Sequence, residues 1–238
     1  MSAICVISSR MESTRFPGKP LALINGREMI LWVAENCKKA VEKENVFIGT
    51  DSDEIIQCVS REGYRTIMVD TKSCANCSDA TAEVAKHIDC DVIVDVQGDE
   101  PLITPDDIRR VIDLKRTNHD SIINAYVYDN KDKESYNSIK CITDGNYVDN
   151  LLYASRLPIP YNNNIFKRQV CLYGFYREQL LDLYGVSKNR GLLEQGEDIH
   201  ILRCLDYNRN VKMVKLHGKY QAVDVPEDIE KVEDIING

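Results

Sequence analysis

Short apolar runs alternate with longer segments whose apolar residues recur every three or four positions. The runs "AICVIS" (3–8), "NVFIGT" (45–50), "YRTIMVD" (64–70) and "DVIVDVQGD" (91–99) predict strands. The last is nearly continuous in apolar character, as a strand covered on both faces should be. Between them, residues 27–43 predict a helix with Met29, Ile30, Val33, Ala34, Cys37 and Val41 on one side. Asp51-Ser52-Asp53 can cap a second helix, and residues 79–88 predict a third. A fourth opens at Thr104, with Pro105 in its first turn and Asp106 and Asp107 near its positive end.

After about residue 120 the rhythm changes. "SIINAYVY", "IKCITDGNYVDNLLYAS" and "RQVCLYGFYR" predict strands, with Asp144-Gly145 as a hairpin turn. Helices are expected around 176–185 and 194–206, then a strand near "VKMVKLH" and a last helix from Pro226. The expected fold is therefore α/β: a three-layer, mostly parallel sheet with helices on both faces, plus a small antiparallel lobe at about 121–175. The whole chain, 1–238, reads as one domain. In such sheets ligands bind beyond the carboxyl ends of the strands. That rim would carry both the loop after the first strand and Gln97-Gly98-Asp99.

Composition narrows the function classes. A net charge of −8 excludes a general nucleic-acid binder, which needs cations to displace counterions from phosphates. No run approaches the ~18 apolar residues of a membrane span. Nine cysteines without a secretory leader point to a reducing, cytoplasmic setting. Cys74 and Cys77 form a CxxC, but no second pair stands at zinc-site spacing, so two thiols on a loop are expected there.

The loop "ISSRMESTRFPGKPL" (7–21) gathers Arg10, Arg15 and Lys19 with the hydroxyls of Ser13 and Thr14. A glycine-bearing turn after a strand can offer N–H groups to an anion, and Arg and Lys add charge suited to phosphate oxygens. A solvated surface loop is the plain alternative. Neither the Walker A pattern nor the GxGxxG dinucleotide fingerprint is present.

The stretch "SSRMESTRFPGKPLALINGREMILWV" resembles the signature of 3-deoxy-manno-octulosonate cytidylyltransferases, the CMP-Kdo synthetases. "VDVQGDEPLI", "ASRLPIP", "LYGF" and "AVDVPEDIEKV" match further family segments in the same order. The resemblance implies a fold of the nucleotide-diphospho-sugar transferase type, with the antiparallel lobe serving dimerisation. It also implies transfer of CMP from CTP to a 2-keto sugar acid, with Mg2+ as cofactor. By similarity Arg10, Ser13, Arg15 and Lys19 would grip the triphosphate. Asp99 and Asp224 would hold magnesium, and Gln97 would lie near nucleotide or sugar. Arg156 is a candidate for the acceptor's carboxylate, and Tyr173 for the wall of the sugar pocket.

Three departures fall on the family's recognition residues. Residues 76–80 read Asn-Cys-Ser-Asp-Ala where the family has "SGTER"; Gln169 stands where it has His; His200-Ile201 replaces Glu-Gln. Losing hydroxyl partners weakens selectivity for a given sugar. The sequence thus predicts retained phosphate and metal chemistry with altered acceptor specificity, a sugar acid other than Kdo itself, in a pocket changed at Gln169 and His200. A smaller phosphate- or phosphonate-bearing acceptor and a non-catalytic nucleotide-binding relative are the alternatives.

Overall fold

The computed structural model describes residues 2–131, 133–145 and 149–238. Its central sheet begins with β1 (Ala3–Ser8). A small hairpin of β2 (Leu23–Ile24) and β3 (Arg27–Glu28) leads into α1 (Met29–Val41). The predicted helix over 27–43 thus starts two residues late, because Arg27 and Glu28 pair with Ile24 and Leu23. Next come β4 (Val46–Thr50), α2 (Asp53–Arg61) and β5 (Arg65–Met68). Ser52 caps α2 by accepting from Ile55 N.

α3 spans Cys77–Ala85, earlier than the pattern suggested, since Asn76 and Asp79 cap each other's backbone N–H reciprocally. β6 (Val92–Gln97) and α4 (Pro105–Thr117) follow, the latter capped as expected by Thr104. The second half holds β7 (Ile122–Asp129), β8 (Lys140–Thr143), β9 (Leu151–Ser155) and β10 (Phe166–Tyr176). β8 and β9 pair antiparallel, and Gly145 has φ +72°, but residues 146–148 of their connection lie outside the described residues. α5 (Arg177–Leu183), α6 (Leu192–Glu197), α7 (Leu202–Asp206), β11 (Val211–Lys215) and α8 (Asp228–Asn237) complete the chain. The single helix expected over 194–206 is two, broken at Asp198, whose φ is +53°.

The strand order is β11-β7-β10-β6-β1-β4-β5. Every neighbouring pair on this path is parallel except the two made by β10, which is antiparallel to both β6 and β7. β8 and β9 extend β10 on the other side of its length. α1, α2 and α4 pack on one face over Cys5, Ile7, Ile48 and Val94. α3, α5 and α7 cover the other over Ile4, Val6, Phe47 and Ile93. Alternate residues of β1 thus enter opposite cores, as the period of two demands. A third cluster, Ile24, Met29, Val223 and Val232, docks α8 onto the β2–β3 hairpin and draws Phe16 of the first loop against it.

Candidate active site

β1 and β6 run parallel in register, Ser8 opposite Gln97, so their carboxyl ends reach one rim together. Gly98 permits this: a Cβ there would lie 3.2 Å from Ser8 O and 3.3 Å from Ser9 Oγ. The loop after β1 closes through Gly18 N donating to Met11 O, 3.0 Å, with Gly18 at φ +73°, a conformation that favours glycine. A single 3-10 turn, Lys19–Leu21, then places Lys19 over the site. Among the described residues, the backbone N–H groups of residues 10–15 make no hydrogen bond, and the exposed Arg10 guanidinium has no partner. Ser9 Oγ is buried without a partner beside them. A cradle of open donors results, the surroundings an oxyanion needs.

The two acidic residues meet under this loop. Val223 N donates to Asp99 O, 3.0 Å, which stitches the segment before α8 to the end of β6. Asp228 Oδ2 accepts from the N–H groups of Asp224 and Val225, holding that bend in place. Lys19 Nζ donates to Asp99 Oδ2 at 2.6 Å, and Arg15 donates to Asp224 Oδ1 at 2.8 Å. Arg15 also reaches Asn137 Oδ1 at 2.7 Å. Burial alone would pull the Lys19 ammonium down, but Asp99 and then Asp224 hold its pKa above the ordinary lysine value. Burial raises Asp224, Asp99's charge adds to it, and Arg15 and Lys19 offset part. Glu100, buried beside Asp99, is pushed up to about 7, by burial first and Asp99 second.

Two hard carboxylates close enough to repel, next to open phosphate donors, form a set that suits magnesium, which takes few protein ligands and completes its shell with phosphate oxygens and water. Among the described residues no group of three or more His, Cys, Asp or Glu is placed to hold a metal. Cys74 is buried and Cys77 lines the site as the first residue of α3. Its thiol is pushed up to about 12 by burial, reinforced by Asp99 and Asp95.

Gln97, Tyr173 and His200 form a second group. His200 Nε2 lies 3.0 Å from Gln97 Nε2 and 2.9 Å from Tyr173 OH, and its Nδ1 lies 3.0 Å from Ser78 Oγ. Burial pushes the imidazole down to about 4. Ser78 in turn donates to Asp95, a fully buried carboxyl that also accepts from Thr81. The fully buried Arg203 ties α3 to α6 and α7 through Asp79 and Glu194, each at 2.6 Å.

The remaining candidates stand apart from this group. Arg156 spends its guanidinium on three backbone carbonyls, of Tyr136, Glu197 and Asp198, clamping the end of β9 to the end of α6. Gln169 is buried in the sheet and donates to Asn124 Oδ1 at 2.8 Å, its Oε1 left without a partner. Asn124 Nδ2 meanwhile binds the carbonyls of Val170 and Leu172, where β10 shifts register against β7. Sequence reasoning missed Glu100, Ser78 and Asp95. A carboxylate inside the otherwise apolar "VIVDV" was the available signal for Asp95.

The profile of a family described as Cytidylyltransferase matches residues 4–232. A 3-deoxy-manno-octulosonate cytidylyltransferase of Myxococcus xanthus is 35% identical, over 97% of this chain and 94% of that protein. One of Bdellovibrio bacteriovorus is 30% identical over 100% and 98%. The solved structure of a CMP:2-keto-3-deoxy-manno-octonic acid synthetase complexed with CTP superposes with a TM-score of 0.85, at 27% identity over 100% of this chain and 99% of that one.

Proposed function

Because this chain belongs to the cytidylyltransferase family, we propose that it transfers CMP from CTP to a 2-keto-3-deoxy sugar acid of the Kdo type. The observation that carries this reading is the meeting of Asp99 and Asp224 with Lys19 and Arg15 beneath an anion-receptive loop. An acceptor hydroxyl oxygen attacks the α-phosphorus, and the bond from that phosphorus to the bridging oxygen of the β-phosphate breaks. Pyrophosphate leaves, and the hydroxyl proton passes to solvent. Little covalent chemistry falls to the protein in such a displacement; positioning and charge neutralisation dominate. Arg10, Arg15 and Lys19 bind the triphosphate, with Ser13 at the same loop, and Gln97 borders the acceptor.

Asp99 and Asp224 would hold a magnesium ion, which when bound supplies charge neutralisation along the phosphates. Relatives named for Kdo, matched over nearly their full length, favour a sugar acid over a smaller phosphate-bearing acceptor. We further place the enzyme in the cytoplasm as a homodimer. Nine free thiols and exposed Leu152, Leu157, Tyr161 and Ile165 on the antiparallel lobe support both points. No helix among the described residues is long and apolar enough to cross a membrane.

Incubation with CTP, magnesium and Kdo, read by pyrophosphate release, tests the reading. Turnover with CTP, and little with the other three ribonucleoside triphosphates, is expected. Tight CTP binding without pyrophosphate from any sugar acid would overturn it.

A further inference from the structure

Gln97 ends β6 two residues before Asp99, on the rim that carries the candidate site, with its side-chain amide against His200. Which end of that amide faces the cleft decides whether the site offers an acceptor or a donor. The hydrogen bonds behind it settle the matter from the far end. Asp95 is fully buried, and its carboxylate can only accept. Ser78 therefore spends its one proton on Asp95 Oδ2 at 2.7 Å. Its oxygen must then accept from His200 Nδ1, 3.0 Å away, so Nδ1 carries the imidazole proton. Nε2 is left bare and can only accept, so the Gln97 group 3.0 Å away is its NH2; Tyr173 OH, 2.9 Å from the same nitrogen, also has Cys171 as a partner. The Gln97 carbonyl oxygen is thereby turned away from His200, and it makes no hydrogen bond among the described residues.

We propose that His200 is a positioning residue for the acceptor: through the chain Asp95–Ser78–His200 it locks the Gln97 amide with its oxygen toward the cleft, so that the site selects an acceptor presenting a hydroxyl there. The inference rests on the cytidylyltransferase reading and adds to it the residue that sets acceptor choice. The chain runs through α3, the bend after Asp198 and β6, and it touches none of Arg10, Arg15 or Lys19. CTP binding should therefore be indifferent to it. The same chain requires Asp95 to be ionised. Burial pushes that carboxyl up to about 6 against the pull of Ser78 and Thr81, so the polarity described holds above that pH.

Two readouts test the proposal. Nitrogen and carbon NMR shifts of labelled histidine at pH 8 report each imidazole tautomer, with His200 assigned by its loss in His200→Phe. The Nδ1–H tautomer is expected, and Ser78→Ala should convert it to a mixture. The Nε2–H form in the wild type would mean the amide points the other way and would overturn the proposal. In kinetics with Kdo, His200→Phe should raise acceptor KM about tenfold or more while CTP affinity changes less than about twofold. His200→Gln, whose amide oxygen can take the place of Nε2, should recover most of that loss, whereas His200→Asn should not. An unchanged acceptor KM in His200→Phe, or equal losses for CTP and acceptor, would overturn it. Absence of wild-type turnover would refute the parent reading alone, and the tautomer would then decide the orientation by itself.

Discussion

Lys19 donates to Asp99 across 2.6 Å, and the pair is only partly open to solvent. With the Arg15–Asp224 pair beside it, the site neutralises its own acidic residues using the cations proposed to bind phosphate. A nucleotide that takes Lys19 and Arg15 strips both carboxylates of their partners, and a divalent ion that takes the carboxylates frees both cations. CTP and magnesium should therefore bind better together than apart. Calorimetry should show CTP binding about tenfold or more weaker in EDTA than in millimolar magnesium, a coupling of about 1.4 kcal/mol.

Replacing Asp99 or Asp224 separates binding from chemistry. Asp224 is held high by burial and by the charge of Asp99, so Asp99→Asn relieves a repulsion and releases Lys19 to the triphosphate. CTP affinity without metal should rise or stay within a few-fold, while turnover in magnesium falls by about 100-fold or more. Lys19→Met should do the reverse to metal-free binding, weakening CTP by about 10-fold or more.

Asp95 and His200 titrate in opposition. Asp95, held up to about 6 chiefly by burial, contributes stability that is present below its unfolded pKa and lost as pH rises through about 6. His200, held down to about 4, contributes stability that is present above its unfolded pKa and lost as pH falls through about 4. Burial drives the second shift, with Asp79 and Asp198 opposing and Arg203 and Arg156 reinforcing. Between pH 4 and 6 the two nearly cancel. Urea unfolding over that range should show Asp95→Asn losing stability on acidification faster than wild type, by up to about 1 kcal/mol per pH unit. His200→Phe should show the opposite difference in slope.

A methyl group on Gly98 would sit 3.2 Å from Ser8 O and 3.3 Å from Ser9 Oγ, tight enough that the backbone or Ser9 must give by a few tenths of an ångström. Gly98→Ala should cost about 1 kcal/mol or more in unfolding free energy. The larger loss falls on activity, about 10-fold or more, because the displaced backbone carries Asp99 next door. Denaturant midpoints and kcat, measured on one preparation, separate the two effects.

Most of the frame was legible because each element carries its own local signal. β1, β4 and β6 are short apolar runs, and Thr104 and Ser52 cap helices by chemistry confined to four residues. The places where the structure differs are set by contacts distant in sequence. Arg27 and Glu28 join a hairpin that α8 covers, and Asp198 breaks a helix whose two halves are pinned by Arg203 to Asp79 on α3. The candidate site divides the same way. Its residue types and loop could be read from the chain, and resemblance joined Asp99 to Asp224 across more than a hundred positions. Nothing local shows that Arg156 is consumed by carbonyls, that Gln169 turns into the sheet, or that His200 reaches Gln97.

The break at Asp198 has a further consequence. His200 hangs from a short, kinked connection between two brief helices, whereas Asp99 follows the end of β6 and takes Val223 N on its carbonyl, and Asp224 is held through its own N–H by Asp228. The proposed acceptor-positioning residue and the proposed metal-binding carboxylates thus sit on separately mounted parts. Under the proposed function, exchange of a few residues around 198–201 would retune acceptor choice and leave the triphosphate contacts in place.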